Sequence, residues 1–131
     1  MAGTESEDRV AAFVETLPLP VLVIGRDSRI MAANARALAR FGAGLPGRHY
    51  LMSLRQPALQ AAVDACLSGG VAQSLRLVRS QGQAQDEVFR VHVAPLADPA
   101  GAVLTFEDVT ESEQISQMRR DFVANVSHEL R

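Results

Sequence analysis

AVLTFEDVTESE, residues Ala102 to Glu113, is where the chain changes its structural period. Ala102 to Asp108 reads as a strand, and Asp108-Val109-Thr110 closes it. Thr110 and Glu113 then stand at capping-box spacing, so a helix is expected to begin where the strand stops, with reciprocal side-chain bonds serving its first backbone N–H groups. Such a joint is stiff. Asp108 has two readings there: an ion-pair or backbone-capping partner, or a solvated strand end.

Working back along the chain, two more strands are expected, Val71 to Val78 and Glu87 to Leu96, with connections at Ser80 to Asp86 and at Asp98-Pro99-Ala100-Gly101. In the second of them Phe89, Val91 and Val93 alternate with Val88, Arg90 and His92, the period of a sheet with two unlike faces. His92 falls on the more polar face without a His or Cys partner at ligand spacing, so it reads as a sheet-surface residue and no metal site is expected. Gln56 to Leu67 places Leu59, Val63, Cys66 and Leu67 on one helical stripe, stopped by Ser68-Gly69-Gly70, which makes Cys66 a core residue. Earlier, Val21 to Ile24 reads as a buried strand, Gly25 to Arg29 as a turn and Arg29 to Ala33 as a returning strand. Asn34 to Phe41 is helical in pattern, and Gly42 to Gly47 is loop.

At the N-terminus Thr4 and Glu7 also have capping-box spacing, and Val10, Phe13, Val14 and Leu17 follow at helical intervals until Pro18 and Pro20 end the pattern. This short amphipathic helix either packs on its own domain or pairs with a second copy. The organisation is therefore an N-terminal helix over 1–17, a domain over 18–110 and a helical segment over 111–131.

With 131 residues, 47% of them apolar, the chain fits one core and a helical extension. A formal net charge of −2 argues against a nucleic-acid partner, which calls for a basic face. Cys66 is alone, so no internal disulfide is available and a reducing compartment is the natural expectation. Apolar runs such as Val21 to Ile24 fall far short of the roughly 20 residues a membrane-spanning helix needs. Glu5, Glu7 and Asp8 occupy the place of a signal peptide's basic region. A cytoplasmic location is expected, with room for an inner-membrane anchor in a longer parent protein.

The order helix, two strands, helices, three strands, long helix resembles that of a PAS domain over Pro20 to Thr110. Asn34 after the second strand fits this, and Asp108-Val109-Thr110 is similar to the D-I-T signature that joins PAS sheets to output helices. The resemblance implies an α+β PAS fold: a five-stranded antiparallel sheet with helices on one face, flanked by the N-terminal helix and a C-terminal signalling helix.

In that last helix Ile115, Met118, Phe122, Val126 and Leu130 form one apolar stripe, and His128 points nearly the opposite way. The three- and four-residue steps of Ile115, Met118 and Phe122 resemble a coiled-coil seam, too short to hold a dimer by itself. A neutral imidazole facing water is available for proton or group transfer, and Glu129 follows it directly. A surface histidine beside a glutamate is ordinary on its own. However, Phe122, Ala124, Asn125, Val126, Ser127, His128, Glu129, Leu130 and Arg131 together resemble the H-box of the HisKA family of sensor histidine kinases. The resemblance implies that His128 is a phosphoacceptor for the γ-phosphoryl of ATP, with Glu129 as acid/base partner. It further implies a homodimer, a response regulator as phosphate recipient, and ATP and Mg2+ held by a separate ATP-binding domain. The H-box region is also similar to that of phosphate-regulon sensors.

The chain stops one residue short of the family's Thr-Pro-Leu continuation, and no phosphate-holding loop is visible, so this segment is expected to be inert alone. Asp108, Thr110, Ile115, Met118 and Phe122 form the expected route from sheet to dimer seam. The haem and flavin members of the PAS family carry a placed His or Cys. Here Cys66 lacks the flavin-type motif and His49 lies in a loop beside Tyr50, so no tight cofactor is expected and a small ligand is at most weakly held. Two other functions fit the same residues: an interaction module in which His128 is incidental, and a small-molecule receptor.

Overall fold

Val21–Gly25 forms β1, the second strand of a five-stranded antiparallel sheet with the order β2-β1-β5-β4-β3. A computed structural model describes residues 2–130, with side chains from Glu5 onward. The N-terminal helix α1 spans Ala2–Glu15, β2 spans Ile30–Ala33, and α2 spans Ala35–Phe41. A 3₁₀ turn at Tyr50–Met52 leads to α3, Pro57–Gly69. Then come β3 at Gln73–Gln81, β4 at Ala84–Leu96, β5 at Gly101–Asp108 and α4 at Thr110–Glu129. The fold class expected from the sequence is the one observed.

Strand alternation sorts the core into two layers. Leu22 and Ile24 of β1 join Leu77, Phe89, Val91, Val93, Leu104 and Phe106 beneath Leu59, Val63 and Cys66 of α3. On the other side Val21 and Val23 meet Val14 of α1, with Val10 and Leu17 partly buried beside them. Each fully buried Leu or Phe contributes about 1.5–3 kcal/mol, which is why the two layers specify the register. A bulge between Val23 and Ile24 lets Ile30 pair with Ile24 and Ala32 with Val23, so Met31 is the extra residue.

Asn34 is the buried polar residue that ties these layers together. Its Oδ1 accepts from Val21 N and Ala37 N, both at 3.0 Å, and its Nδ2 donates to Val14 O at 3.0 Å and Leu19 O at 2.8 Å. One side chain thus caps α2, the end of α1 and the start of β1. The Glu15 carboxylate adds a bond from Ala35 N at 2.7 Å. Of the two readings of α1, packing on its own domain is the arrangement present, although Phe13 remains 65% exposed.

Three local features differ from the sequence expectations or fall outside them. The connection placed at Ser80 to Asp86 is a tight hairpin at Gly82 and Gln83, with Gln81 opposite Ala84, because Gly82 takes a left-handed backbone and lets both strands run on. The stretch before α3 contains the 3₁₀ turn, which His49 caps: its Nδ1 accepts from Leu51 N at 3.2 Å. The capping box at Thr4 and Glu7 falls on a Thr4 side chain outside the described residues, and α1 already runs through that position. At Gly101 a Cβ would lie 2.2 Å from Ile24 O, so only glycine permits β5 to start against β1 there.

Candidate functional site at the joint between sheet and helix

The last sheet pairing is Phe89 with Asp108, and the chain then extends the sheet by one step before turning into α4. Val109 N donates to Val88 O at 2.9 Å, and Val88 N donates to Thr110 Oγ1 at 2.9 Å. Thr110 N donates to Asp108 Oδ1 at 3.0 Å. Asp108 therefore serves the first turn of the helix while Thr110 fastens it to β4. The capping box expected between Thr110 and Glu113 is not formed: Thr110 is already helical, Val109 holds the cap position without a side-chain bond, and Glu113 turns to Arg76. A guanidinium on β3 within reach offers the carboxylate a charge-assisted, two-pronged partner, which outcompetes a single backbone N–H.

The other Asp108 oxygen accepts from Arg40 Nη2 of α2 at 2.6 Å, so the ion-pair and capping readings both hold. Arg40 also bonds Glu87 at the start of β4, and its guanidinium lies 4.9 Å from the Phe89 ring centre. Arg79 completes the group: Nη1 donates to Arg40 O at 3.2 Å, sits 3.6 Å from Glu87 Oε1, and the guanidinium stacks 4.9 Å from Phe41. Phe41, Phe89 and Phe106 form the apolar floor, with ring centres 4.8 to 6.1 Å apart. Burial pushes the Asp108 carboxyl up, but the bonds and charge from Arg40 together with Thr110 outweigh it and hold it below the usual carboxylate value. Arg40 is raised above its ordinary value, chiefly by its bond to Asp108 against the opposing effect of burial. The charge group thus links α2, β3, β4, β5 and α4.

Across the joint, Arg76 Nε and Nη2 donate to Glu113 Oε2 and Oε1 at 2.8 and 2.6 Å. That bond, with the neighbouring charges of Arg76, Arg120 and Arg90, holds the Glu113 carboxyl below its ordinary value. Sequence reading did not single out Arg40, Arg76, Arg79 or Glu87. Their partners lie far along the chain, on other elements, and no spacing rule connects them.

Beyond its first turn α4 leaves the domain. None of its residues is buried, and Ile115, Met118, Phe122, Val123 and Leu130 are among the exposed large apolar side chains, as is Val126 at 39%. Val123 widens the expected stripe. His128 and Glu129 are exposed in the last turn. Adjacent helical residues do not face each other, and among the described residues no hydrogen bond joins that carboxylate to the ring. Arg131, the last residue of the quoted H-box, lies outside the described residues.

The remaining candidates have local partners. Cys66 is buried on α3, where burial raises its thiol pKa, and the His49 ring stacks on Tyr50 at 5.2 Å. His92 Nδ1 lies 2.9 Å from Ser74 Oγ across the β3–β4 ladder on the exposed face.

The profile described as PAS fold matches residues 14–114. This chain belongs to the PAS family. Over 133 aligned positions it is 29% identical to the Sensor protein kinase WalK of Staphylococcus aureus (strain Newman), covering 99% of this chain and 22% of that protein. The Sensor protein kinase WalK of Staphylococcus epidermidis (strain ATCC 12228 / FDA PCI 1200) is 28% identical over the same shares. The chain therefore spans 22% of the length of these curated relatives. Among solved structures, the PAS domain from Bordetella pertussis BvgS has a TM-score of 0.66 at 14% identity, covering 92% of this chain and 98% of that one. An RNA-binding Light-Oxygen-Voltage Receptor has a TM-score of 0.66 at 15% identity, covering 93% of this chain and 38% of that one. At such identities the likeness speaks for the PAS fold alone. Among the described residues no helix is long and apolar enough to cross a membrane.

Proposed function

We propose that this chain is the sensory and dimerising PAS module of a two-component sensor histidine kinase, joined to the start of its phosphoacceptor helix. The observation that carries the reading is continuity: Asp108-Val109-Thr110 is bonded into the sheet and into α4 alike, and α4 runs unbroken to Glu129 with its apolar residues bare. A second copy covers that stripe, and the paired helices present His128 outward. Similarity to sensor protein kinases over 99% of the chain supports the same assignment.

In the parent kinase an imidazole nitrogen of His128 attacks the γ-phosphorus of Mg-bound ATP. A P–N bond forms as the P–O bond to ADP breaks, and Glu129 takes up the ring proton. The phosphoryl group then passes to an aspartate of a response regulator. The nucleotide is held by a separate ATP-binding domain, so the present chain is inactive alone. The site faces the cytoplasm; the H-box region is similar to that of phosphate-regulon sensors, while the relatives matched over 99% of the chain are WalK sensor kinases. The reading includes no tight cofactor in the PAS interior, where Tyr50, Leu54, Leu59, Val63 and Cys66 are core residues.

Phosphate mapping in a kinase containing this chain and an ATP-binding domain tests the reading. Acid-labile phosphate is expected on His128, with loss in His128→Gln and slowing in Glu129→Gln. Thr110→Ala is expected to leave phosphorylation in place but remove its regulation. Phosphate on another residue, or full regulation in Thr110→Ala, would sink the relay.

A further inference from the structure

α4 is 20 residues long, about 30 Å, and among the described residues only its first turn is bonded to the body by side chains, through Thr110 and Glu113. Thr110 is the first residue of α4 and is bonded to Val88, so it acts as a pivot and leaves tilt and rotation weakly restrained. Glu113, one turn further on, restrains both, because a fork-to-fork bond to Arg76 fixes direction as well as distance. The remaining polar bonds of α4, Gln117 to Asp121 and Arg120 to Gln117, stay within the helix.

The sheet itself asks for a carboxylate at this place. Arg76 on β3 lies directly opposite Arg90 on β4, a like-charge pairing that disfavours the ladder. Arg90 is relieved by Glu107, its neighbour on β5, with Nη1 3.6 Å from Oε2. Arg76 has no acidic residue opposite it on the sheet, and α4 supplies one. Both partners are solvated, with side-chain exposures of 60% for Arg76 and 38% for Glu113, so the contact can open and close. Two surface clefts, of about 270 and 400 Å³, flank the pair, and Arg76 and Glu113 line both, so nothing packs around the contact to lock it.

The geometry points to Arg76 and Glu113 as a positioning latch that sets the angle of α4 to the sheet and, on the reading proposed above, the place of His128. The lever is long: His128 lies about 27 Å beyond Thr110, so a tilt of about 10° at the pivot moves it by about 5 Å. Releasing the latch changes where the phosphoacceptor is presented without unfolding the PAS body. The pair on the opposite side of the joint, Arg40 and Asp108, fixes the pivot, whereas the latch sets the swing.

Spin-label distances in this chain decide the matter. Labels at Gln60→Cys on α3 and Ser127→Cys on α4, in a Cys66→Ala background and diluted with unlabelled chain, report the intramolecular swing. The unaltered latch is expected to give a narrow distribution. Glu113→Arg, facing Arg76, Arg90 and Arg120, is expected to shift or broaden it by about 5 Å. Arg76→Glu alone is expected to do the same while keeping the sheet folded, since Glu at that position pairs with Arg90. Combining Arg76→Glu with Glu113→Arg is expected to restore the narrow distribution. Single variants with unchanged distances, or a double variant as broad as the singles, would overturn the latch. Distances responding as expected in a chain whose kinase puts no phosphate on His128 would uphold the latch and remove the phosphorelay reading.

Discussion

β1 and α4 both carry large apolar side chains, yet Val21, Leu22, Val23 and Ile24 have no exposed surface, while no residue of α4 is buried. β1 lies between two packed layers, with α2 and α3 on one side and α1 on the other, so every side chain of the strand finds a neighbour. Among the described residues, the side-chain hydrogen bonds from α4 to the same sheet come from its first turn. Stability in this molecule is therefore concentrated in the body, and the helix that projects from it is held by a few polar bonds at its base. That division suits a relay, because the lever can change direction at a cost the core does not feel.

The sharpest way to break the comparison is inside the body. Leu104→Ala on β5, fully buried beside Leu22 and Ile24, is expected to lower unfolding free energy by about 2–5 kcal/mol, read from urea melts. A loss comparable to that of a surface change would mean that the sheet is not the seat of stability. Next, Asn34→Ala takes the side-chain partner from Val21 N, Ala37 N and Leu19 O, while Val14 O keeps its bond from Leu17 N, and about 1–3 kcal/mol is expected to go. Faster amide exchange at the end of α1 and the start of β1 would accompany it.

Acid should act at the joint before it acts on the core. Asp108 has a lowered folded pKa, so an unfolded joint takes up the proton first as pH falls. Its contribution is complete above the unfolded value of about 3.9 and is lost as pH falls through the lower folded one. The carboxyl is 40% exposed, so after screening about 1 kcal/mol at most is at stake. Asp108→Asn is expected to reduce the acid dependence of amide exchange in the first turn of α4 to the share that Glu113 supplies; an unchanged profile would detach Asp108 from the joint. The smallest effect on the body is expected from Phe122→Ala, within about 0.5 kcal/mol, despite the size of the side chain. Its effect should appear instead as weaker self-association in sedimentation. A large loss of monomer stability would show that α4 folds back on the sheet.

Much of the body is legible in the sequence alone. The two-residue period of Phe89, Val91 and Val93 requires one buried sheet face, and the three- and four-residue steps of Leu59, Val63 and Cys66 require a helix lying on it. The start of α4 was legible as well, but its chemistry was not: the Thr110 and Glu113 spacing suggested a box closed within the helix, whereas each side chain bonds a strand instead. The 3₁₀ turn at Tyr50–Met52 carries no periodicity of its own, and His49 became its cap only because the loop brought the ring back over Leu51 N.

Local periodicity determined the elements, their order and the direction in which their apolar faces point, since these depend on residues a few positions apart. It also set the apolar stripe of α4 and the outward turn of His128, both properties of a single helix. Only the tertiary structure decided which charges meet: Arg40 with Asp108 and Glu87, Arg76 with Glu113, and Asn34 with four backbone groups. Those pairings join residues distant in the chain, and an ion pair has no repeating pattern to announce it. Its partner is chosen by where the packed sheet happens to hold a guanidinium within reach of a carboxylate.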